Sequence, residues 1–465
     1  MPATPFPFDA VIFDLDGTLV ATDRFWSAAA RAGARRAFGE LGLERELPTA
    51  REWMSIVGLP LDVGFAGLFA DLDEQTRGRV MAACVEEEEN ALRAGGAALI
   101  PGATEALTTL AKHGVKLGIA SNCGQAYLDL MLADLGLARW IDEARCYDTP
   151  GMGGKAQMVE DLLDCFGTRS AVMVGDRSGD RDAAWDNGLP HVHLSRGYAD
   201  IDEVLECEAV LDDLVELVPL LNGRATWIDG VLDELGFPSA TAAAGDATAA
   251  SATAASAASA AAGDAAADDG KGRRRGPGTI GITGPPGAGR TLWARDAERI
   301  LRRRGVEARA VSLDWFRLPE APAKGPGEEH LDDPLSGFWD LGTLFREILE
   351  PVARGEAVDF PGLPGCPAGA TRIPAGGRVL LEGAYLSHPR LRVHLDRLVY
   401  LDVSEEVILR RVAGRDGRLF GPEELMRLRS RTLPLVRAFQ AAHPPERTVD
   451  LVLEANSALG NSPSA

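Results

Sequence analysis

The chain contains 465 residues, carries a formal net charge of −21 and is 46% hydrophobic, a composition typical of soluble globular proteins. It is too long for one compact core, and it contains no uninterrupted apolar stretch that could cross a bilayer. The N-terminal MPATPFPFDA also lacks the basic and then apolar pattern of a secretory signal. We therefore expect a cytoplasmic protein of two domains with no membrane partner.

The acidic charge is concentrated in the first half of the chain. Met1 to Ser239 contains 19 basic and 40 acidic residues, so this half carries the whole excess (19 − 40 = −21). This excess of negative charge repels nucleic acid except where local basic groups override it. The charge distribution therefore favours small substrates and disfavours nucleic acid as a partner.

A low-complexity segment divides the chain. Residues 239–278 consist mostly of Ala, Ser, Thr, Gly and Asp, which offer no large apolar groups to bury. We expect a disordered linker there and a disordered tail over 456–465. On both sides of the linker, strand-like apolar runs alternate with helical stretches. This alternation predicts an α/β protein with two Rossmann-like parallel-sheet domains, over 1–238 and 279–455.

The first strand-like run, VIFDLDGTLV, places Asp14 and Asp16 at its C-terminal end. Open α/β sheets hold their ligands at this end of the strands. Two close carboxylates are costly unless a cation or a proton compensates them. The pair therefore predicts a bound metal or a raised pKa, with a surface turn as the alternative for this motif taken alone.

Three later segments supply further polar side chains at predicted strand ends. They are Ser121 in LGIASN, Lys155 in GMGGKAQM, and Asp176 and Asp180 in VMVGDRSGD. Taken singly, Ser121 has a helix N-cap as its alternative, which is compatible with a functional role, and Lys155 is better explained as a surface lysine. Together with the D-x-D-G-T motif, these segments resemble the four motifs of the haloacid dehalogenase-like phosphatases. The resemblance covers roughly Phe8 to Leu220 and implies a phosphomonoester hydrolase that acts through an aspartyl-phosphate.

The resemblance also implies a role for each catalytic residue. Asp14 would be the nucleophile, which splits one difficult hydrolysis into two easier steps. Asp16 would protonate the leaving oxygen and then deprotonate the water that hydrolyses the aspartyl-phosphate. Ser121 would donate a hydrogen bond to a phosphoryl oxygen, and Lys155 would offset the charge of nucleophile and phosphate.

A magnesium site is implied by the same motifs. Asp176 would hold Mg²⁺ together with Asp14 and the backbone carbonyl of Asp16, since hard oxygen ligands suit a hard cation. Asp180 would support either Lys155 or the metal. The resemblance therefore implies Mg²⁺ as the cofactor of the first domain and a small phosphorylated metabolite as its substrate.

A helical insertion separates the first two motifs, over about residues 20–98. It resembles the cap of this family, which closes over the core and limits access to small substrates. Its segment SIVGLPLDVGF resembles phosphoglycolate phosphatase-like members, so we expect substrate contacts near Gly58 and Pro60. We interpret the run Glu86 to Glu89 as a solvated helix face and not as a metal site.

After the linker, TIGITGPPGAGRTLWARDAERIL predicts a strand, a glycine-rich loop and a helix. Its spacing fits the P-loop pattern G-x-x-x-x-G-K-[ST] through Gly284, Gly289 and Thr291, with Gly287 inside the loop. Arg290 occupies the position of the usual lysine. Backbone amides would still hold phosphate and Thr291 would still reach Mg²⁺. Because arginine is a larger planar group, nucleotide binding is better supported than phosphoryl transfer.

The second half resembles the uridine kinase and phosphoribulokinase-like group over roughly Thr279 to Leu453. AVSLDWF places Asp314 after a second strand, where the resemblance implies the general base. HLDDPLSGFWDL resembles the substrate-binding segment through Asp333 and Pro334. DFPGLPGCPAGATR does not reproduce the substrate loop of uridine kinases. The implied cofactor is ATP, and the implied substrate is a small nucleoside-like molecule.

Further residues of that resemblance follow later in the chain. VLLEGAYL places Glu382 after another strand, suited to Mg²⁺ or to water positioning. VILRRVAGRDGR resembles an arginine-bearing lid through Arg410, Arg411 and Arg415. The alternatives are a strand-end turn for Asp314 and a solvated helix for the three arginines.

Three hypotheses for the whole chain follow. The first is a bifunctional enzyme, a capped phosphatase joined to a small-molecule kinase. The second is a polynucleotide phosphatase-kinase for nucleic-acid end repair, which the helical cap and the acidity of the first half disfavour. The third is a phosphatase joined to a non-catalytic nucleotide-binding regulatory domain. Binding of ATP without phosphoryl transfer would separate the third hypothesis from the first.

Overall fold

The computed structural model describes residues 6, 8–199, 203, 207–237, 278–318, 326, 330, 333–362, 371–413, 421–456 and 459, with the backbone alone at 422 and 424. The chain forms two compact units, one of Phe8–Leu221 and one of Asn222–Ala465 together with Met1–Pro7. The predicted linker and tail lie outside the described residues except at 278, 456 and 459. Among the described residues, no helix has both the length and the apolar character needed to span a bilayer.

A six-stranded parallel sheet forms the centre of the first unit, which confirms the predicted α/β fold there. Its strand order is β3-β2-β1-β4-β5-β6. The strands are β1 Ala10–Phe13, β2 Lys116–Ser121, β3 Glu143–Cys146, β4 Ala171–Gly175, β5 His191–Leu194 and β6 Ala209–Leu211. β1 and β4 are apolar and buried throughout, as central parallel strands covered on both faces require. The strand order reverses between β1 and β4, which opens a crevice at their carboxyl ends.

Nine helices of the described chain begin in this first unit, and four of them form the cap. Those of the cap are α1 Trp26–Leu41, α2 Ala50–Ser55, α3 Leu61–Leu68 and α4 Glu74–Arg93. The others are α5 Ala103–Lys112, α6 Gln125–Asp134, α7 Lys155–Phe166, α8 Ser178–Asp186 and α9 Leu217–Glu234. Short 3₁₀ turns cover Thr22–Arg24, Leu137–Arg139 and Leu214–Glu216.

The cap is held together by close helix packing and by an aromatic cluster. A Cβ on Gly33 of α1 would lie 2.4 Å from the carbonyl oxygen of Ala83 on α4, so the two helices approach as closely as they do because residue 33 has no side chain. The rings of Trp53, Phe65 and Phe69 pack with centroids 5.7 to 5.9 Å apart. Such aromatic packing is favourable beyond the area it buries, and it holds α2 and α3 together.

The second unit contains a five-stranded parallel sheet. Its order is β13-β12-β7-β11-β8. Its strands are β7 Thr279–Thr283, β8 Ala308–Ser312, β11 Arg378–Glu382, β12 Arg397–Asp402 and β13 Leu451–Glu454. A separate antiparallel pair consists of β9 Val358–Phe360 and β10 Thr371–Ile373. β7 lies at the centre of the sheet. The glycine-rich loop follows β7 in the chain and therefore starts at the carboxyl edge of the sheet.

The helices of the second unit are mostly short. They are α10 Arg290–Arg303, α11 Leu341–Leu344, α12 Glu350–Ala353, α13 Pro389–Arg392, α14 Glu405–Arg411, α15 Pro422–Arg427, α16 Leu433–Ala442 and α17 Pro445–Thr448. A 3₁₀ turn covers Leu313–Phe316, and π-helical turns cover Phe345–Leu349 and Leu428–Thr432.

The division between the units falls before the predicted boundary at residue 238. Leu232 and Phe237 are buried in the same apolar cluster as Ile280 of β7. Arg224 Nε also forms a buried ion pair of 2.6 Å with Asp296 Oδ2 of α10. The segment from 222 to 237 therefore packs within the second unit, because its apolar face is covered there.

Candidate active site

The carboxyl ends of β1, β2 and β4 lie side by side, because these strands are neighbours in the parallel sheet. Asp14 follows β1, Ser121 ends β2 and Asp176 follows β4. Their side chains are buried, with residue exposures of 0%, 2% and 0%. The sheet thus brings polar groups from three distant segments to the point where its strand order reverses.

Lys155 connects two of the carboxylates. It is the first residue of α7, and its Nζ lies 2.8 Å from Asp14 Oδ1 and 2.5 Å from Asp180 Oδ1. Asp180 Oδ2 in turn accepts a hydrogen bond of 2.9 Å from the backbone N–H of Arg177. The first turn of α8 therefore positions Asp180, and Asp180 positions the ammonium group beside Asp14.

Three buried carboxylates at this place could hold a metal ion. Asp14, Asp176 and Asp180 each offer an oxygen within 4.8 Å of the other two. Asp14 Oδ2 is buried without a hydrogen-bond partner among the described residues. Three carboxylates facing one ammonium group leave an excess of negative charge, and oxygen donors are those that Mg²⁺ prefers. The donor set therefore fits a magnesium ion.

The environment perturbs the titration of these groups. Burial raises the pKa of Asp14 to about 7, with Asp180 adding to the rise and Lys155 opposing it. Burial and the charges of Asp14 and Asp180 likewise raise the pKa of Asp176 well above its usual range. Burial by itself lowers the pKa of Lys155, but the two adjacent carboxylates outweigh it and raise that pKa. Lys155 is therefore cationic at neutral pH, and the raised pKa values of Asp14 and Asp176 indicate that one lysine does not compensate three ionised carboxylates.

Gly17 is required beside this cluster for two reasons. Its φ is +81°, in the left-handed region, and a Cβ there would lie 2.4 Å from Asp176 Oδ2. Thr18, the next residue, donates a hydrogen bond of 3.4 Å to Asp176 Oδ1. The D-x-D-G-T turn thus brings its backbone against Asp176.

Asp16 lies apart from the carboxylate cluster. Its Oδ1 accepts hydrogen bonds of 2.5 Å from Thr22 Oγ1 and from the Tyr127 hydroxyl. Burial raises the pKa of Asp16, and these two hydrogen bonds oppose the rise. Two residues along one turn, Asp14 and Asp16, therefore have different partners, as different chemical roles would require.

A cavity of about 270 Å³ opens beside Asp16, lined by residues of the cap and of the core. The lining residues are Asp16, Thr22, Trp26, Ile56, Val57, Gly58, Leu59, Leu61, Val85, Glu88, Glu89, Asn122, Cys123, Gly124, Gln125, Ala126, Tyr127 and Asp148. Gly58 is among them, and Pro60 is not. The cavity therefore begins at the proposed acid-base residue and extends under the cap.

Glu88 corrects our interpretation of the Glu86 to Glu89 run as a solvated face. Glu88 is only 9% exposed and lines the cavity, whereas the side chain of Glu86 is 62% exposed and pairs with Arg36 at 2.7 Å. Burial, with a contribution from Asp16, raises the pKa of Glu88 well above its usual range. Glu88 is buried because the helical geometry of α4 turns one glutamate of the run inward.

Two core side chains hold the cap segment that leads into the cavity. Asn122 Nδ2 donates a hydrogen bond of 2.9 Å to the carbonyl of Gly58. Arg177 Nη1 donates one of 2.5 Å to the carbonyl of Val57. Both donors come directly after the predicted motif residues Ser121 and Asp176, so the core loops that carry those residues also bind the cap.

Sequence reasoning missed Tyr127, Thr22, Arg177 and Glu88. A signal existed for Glu88, because the buried residues of α4 recur every four positions at Val80, Cys84, Glu88 and Leu92. Tyr127 and Thr22 offered no comparable pattern. Their role depends on where the first turn of α6 and the Thr22–Arg24 turn meet Asp16.

The glycine-rich loop of the second unit connects β7 to α10 as predicted. Gly284, Gly287 and Gly289 have φ of +151°, +74° and +83°. Arg290 Nη1 donates hydrogen bonds of 2.5 Å and 2.8 Å to the carbonyls of Gly284 and Pro285. The guanidinium that replaces the usual lysine therefore binds the loop itself.

Glu382 at the end of β11 contacts the start of α10. Thr291 Oγ1 donates a hydrogen bond of 3.1 Å to Glu382 Oε1, and Arg290 Nε lies 3.6 Å from Glu382 Oε2. Both candidate Mg²⁺ ligands of this unit, Thr291 and Glu382, thus lie at one place. Arg290 lies there too, and its positive charge competes with a cation.

The predicted lid arginines fall into three cases. Arg411 Nη1 donates a hydrogen bond of 2.9 Å to the carbonyl of Gly287, and its Nη2 donates one of 2.9 Å to the carbonyl of Asn456. It therefore supports the loop from α14. Arg410 is an exposed neighbour on the same helix, and Arg415 lies outside the described residues.

The other predicted kinase residues contact side chains outside the glycine-rich loop. Asp314 Oδ1 accepts a hydrogen bond of 3.2 Å from the indole N–H of Trp339. Asp333 Oδ2 forms an ion pair of 3.0 Å with Arg390, and Pro334 follows it in a turn. A cavity of about 520 Å³ borders the glycine-rich loop at Pro285, but neither aspartate lines it.

Comparison with known proteins gives matches to one hydrolase family and to individual phosphatases and a kinase. The sequence model of the haloacid dehalogenase-like hydrolase family matches residues 11–193. Phosphoglycolate phosphatase of Rhodospirillum rubrum is 32% identical over 227 residues, which cover 45% of this chain and 88% of that enzyme. Cytidylate kinase of Pyrobaculum calidifontis is 30% identical over 141 residues, covering 30% of this chain and 62% of that enzyme.

A second phosphoglycolate phosphatase matches over a shorter part of its length. Phosphoglycolate phosphatase of Agrobacterium fabrum is 30% identical over 125 residues, which cover 26% of this chain and 54% of that enzyme. The match thus spans about half of the Agrobacterium protein, whereas it spans most of the Rhodospirillum one. With its parallel sheet, its inserted helical cap and its carboxylate cluster, the chain belongs to the haloacid dehalogenase-like hydrolase family.

Proposed function

We propose that the first unit is a magnesium-dependent phosphomonoester hydrolase that acts on a small phosphorylated metabolite through an aspartyl-phosphate on Asp14. The observation that carries this proposal is the state of the Asp14 carboxylate. One oxygen is held 2.8 Å from Lys155 Nζ, and the other is buried without a hydrogen-bond partner among the described residues. A carboxylate anchored at one oxygen and unpaired at the other is oriented for nucleophilic attack. Family membership and the two phosphoglycolate phosphatase relatives support the same reaction class.

The carboxylates around Asp14 suit a bound cation. Asp14 and Asp176 would hold Mg²⁺ with the backbone carbonyl of Asp16, and Asp180 is near enough to assist. When bound, the cation offsets the negative charge of the phosphoryl oxygens. Lys155 adds a second positive charge beside the nucleophile, and Ser121 would donate a hydrogen bond to a phosphoryl oxygen.

The two chemical steps then divide between the two aspartates. Asp14 attacks phosphorus, the bond between phosphorus and the leaving oxygen breaks, and Asp16 gives its proton to that oxygen. In the second step Asp16 takes a proton from water as the water oxygen attacks the phosphorus of the aspartyl-phosphate. The bond from Asp14 to phosphorus breaks, and inorganic phosphate leaves. The hydrogen bonds from Thr22 and Tyr127 orient Asp16 for both transfers.

The test is phosphate release from a panel of small phosphorylated metabolites and 3′-phosphorylated oligonucleotides, with and without Mg²⁺. We expect release from metabolites in Mg²⁺ only, and a loss of at least roughly a thousandfold in Asp14→Asn. Asp134→Asn makes the same chemical change at an exposed position of α6 and serves as the control. Release from oligonucleotides alone would favour nucleic-acid end repair, and the absence of release from every compound would refute the proposal.

We also propose that the second unit binds ATP at the glycine-rich loop. This proposal is supported by the strand, loop and helix arrangement, by the contact between Thr291 and Glu382, and by the cytidylate kinase relative. Arg290 donates to the loop carbonyls of Gly284 and Pro285, so its guanidinium is not oriented toward a phosphate. We therefore propose nucleotide binding with slow phosphoryl transfer to a nucleoside-like acceptor.

Calorimetric titration of the full chain with ATP and Mg²⁺ tests this second proposal. We expect binding that Thr291→Val weakens at least about tenfold through the lost oxygen ligand, while Thr226→Val, at an exposed position of the same unit, has no effect. Arg290→Lys should increase turnover of a nucleoside acceptor. Absence of ATP binding would refute the proposal, and preferential phosphorylation of oligonucleotide 5′ ends would favour the end-repair alternative.

A further inference from the structure

All the ionisable side chains that line the cavity beside Asp16, apart from Cys123 and Tyr127, are carboxyl groups. Its described lining contains four carboxyl groups, those of Asp16, Glu88, Glu89 and Asp148, and it contains no lysine, arginine or histidine. Glu89 is offset by an ion pair of 2.7 Å with Arg93, and this pair is partly exposed. No cation is therefore present among the described lining residues to accompany an anionic group of a ligand.

The hydroxyl and indole donors of the lining are already bound to protein acceptors. Thr22 Oγ1 and the Tyr127 hydroxyl donate to Asp16, and the indole N–H of Trp26 donates to the carbonyl of Trp53 at 3.0 Å. A buried donor exchanges such a bond for a ligand only if the ligand supplies an equally good acceptor. These three residues therefore shape the cavity more than they offer hydrogen bonds to its contents.

The amide side chains of the lining are similarly occupied. Asn122 Nδ2 donates to the Gly58 carbonyl at 2.9 Å, and Gln125 Nε2 donates to Asp129 Oδ1 at 2.8 Å. Asp148 Oδ2 accepts the backbone N–H of Gln125 at 2.9 Å. Among the described side chains, the cavity is thus richer in acceptors than in donors.

Glu88 is the lining carboxyl without such a partner. It is 9% exposed, and no hydrogen bond or ion pair joins its carboxyl group to any described residue. Its place is fixed, because it lies in the buried stripe of α4 between Cys84 and Leu92. A buried polar group without a protein partner is costly unless a ligand or water satisfies it. The raised pKa of Glu88 agrees with a carboxyl group that no cation accompanies.

From this arrangement we infer that the site selects phosphomonoesters of small, uncharged polyhydroxy alcohols and discriminates against leaving groups that carry a carboxylate, with Glu88 as the specificity-determining contact. This inference rests on the proposed phosphatase function. The alcohol oxygen of the substrate would lie at Asp16, and a further hydroxyl would bond to Glu88. A carboxylate in the same place would be desolvated beside acidic groups with no compensating cation.

The size of the cavity agrees with a short alcohol. Its volume of about 270 Å³ is at or below the lower end of roughly 300–1,000 Å³ for ligand pockets. The lining from α1 to α4 closes it on the cap side, and Ile56, Val57 and Leu61 make that side apolar. Phosphoglycolate would fit by size, so charge and not volume would exclude it.

The experiment compares kcat/KM for glycerol 3-phosphate and for phosphoglycolate in the full chain with Mg²⁺. We expect wild type to favour glycerol 3-phosphate by at least about tenfold. Glu88→Leu, which fits the apolar stripe, should reduce that ratio about tenfold through loss of the hydroxyl contact. Glu88→Lys should reverse the ratio by supplying a cation for the carboxylate. Glu86→Leu and Glu86→Lys, at an exposed position of the same helix, should keep the wild-type ratio.

The outcomes separate this inference from the function on which it rests. A wild-type preference for phosphoglycolate, or a ratio that does not respond at Glu88 in folded variants, would overturn the inference and leave the phosphatase in place. Failure of wild type to hydrolyse even p-nitrophenyl phosphate would overturn the phosphatase, and the inference with it. Circular dichroism and the midpoint of thermal unfolding establish that each variant is folded.

Discussion

Replacing Lys155 with methionine removes the ammonium group that lies between Asp14 and Asp180, at 2.8 Å and 2.5 Å. The three groups are at least nine-tenths buried, so the charges left behind are poorly solvated. Removing one partner from a buried ion pair costs about 3–5 kcal/mol of unfolding free energy. We expect a loss of that size for Lys155→Met in EDTA, together with loss of phosphatase activity.

Urea unfolding at pH 7.5 in EDTA and in excess Mg²⁺ measures this effect. A cation that binds the native carboxylates stabilises the folded state by mass action. Because Lys155→Met leaves those carboxylates without an ammonium group, Mg²⁺ should raise its unfolding free energy more than it raises that of wild type. The two conditions therefore separate the charge of the cluster from the packing of the methionine side chain.

Lys116→Met is the matched control. Lys116 Nζ forms an ion pair of 2.7 Å with Asp142, and the side chain of Lys116 is 54% exposed. Exposed ion pairs contribute little because water and salt screen them, so this variant should resemble wild type in both conditions. Equal stability of Lys155→Met and wild type in EDTA would refute the reasoning, as would equal losses at the two lysines.

Three further predictions follow. The pKa of Asp14 is raised from 3.8 to about 7. The free energy of unfolding in EDTA should therefore fall as the pH rises from about 4 to 7. Asp14→Asn should reduce that fall, as measured by urea unfolding. Burial lowers the pKa of His191 well below 6.5. The free energy of unfolding should therefore fall as the pH drops below 6.5, by up to about 1.4 kcal/mol per pH unit. His191→Phe should reduce this pH dependence. Gly17→Ala should weaken Mg²⁺ binding measured by calorimetry, because its Cβ would contact Asp176, whereas Gly39→Ala, where a Cβ meets no neighbour, should not.

Much of the first unit could be predicted from local patterns. Buried parallel strands are continuous apolar runs, and their carboxyl ends meet at one edge. That geometry is sufficient to bring Asp14 and Asp176 together, because each directly follows a buried strand. Lys155 instead reaches them from the first turn of α7. The structure places these three with Asp180 as the motifs suggested, although their chemical roles stay proposals.

The partners of Asp16 could not be predicted, because they depend on tertiary packing. Tyr127 and Thr22 reach Asp16 from a helix and a turn whose relative position no local pattern determines. Glu88 was misinterpreted because a run of four glutamates is usually solvated, although its spacing from Cys84 and Leu92 pointed inward. A run of one residue type conceals helical periodicity, since each of its members has the same polarity.

The direction of the Arg290 guanidinium could not be predicted from the sequence, because several hydrogen-bond acceptors lie within its reach. A P-loop pattern describes the backbone, and here the loop does connect β7 to α10. The pattern does not determine whether a long guanidinium extends toward a phosphate or folds back onto carbonyls, since both satisfy its hydrogen bonds. The structure places Arg290 on Gly284 and Pro285, and that placement is the basis for expecting slow transfer.

The most direct test of the proposed aspartyl-phosphate mechanism is identification of the residue that becomes phosphorylated. A brief reaction with glycerol 3-phosphate and Mg²⁺ is quenched with borohydride, which reduces an acyl phosphate to an alcohol, and the digest is sequenced by mass spectrometry. We expect homoserine at position 14 in wild type and an unmodified peptide in Asp14→Asn. Modification at Asp16 instead, or rapid phosphate release with no modified peptide, would contradict it.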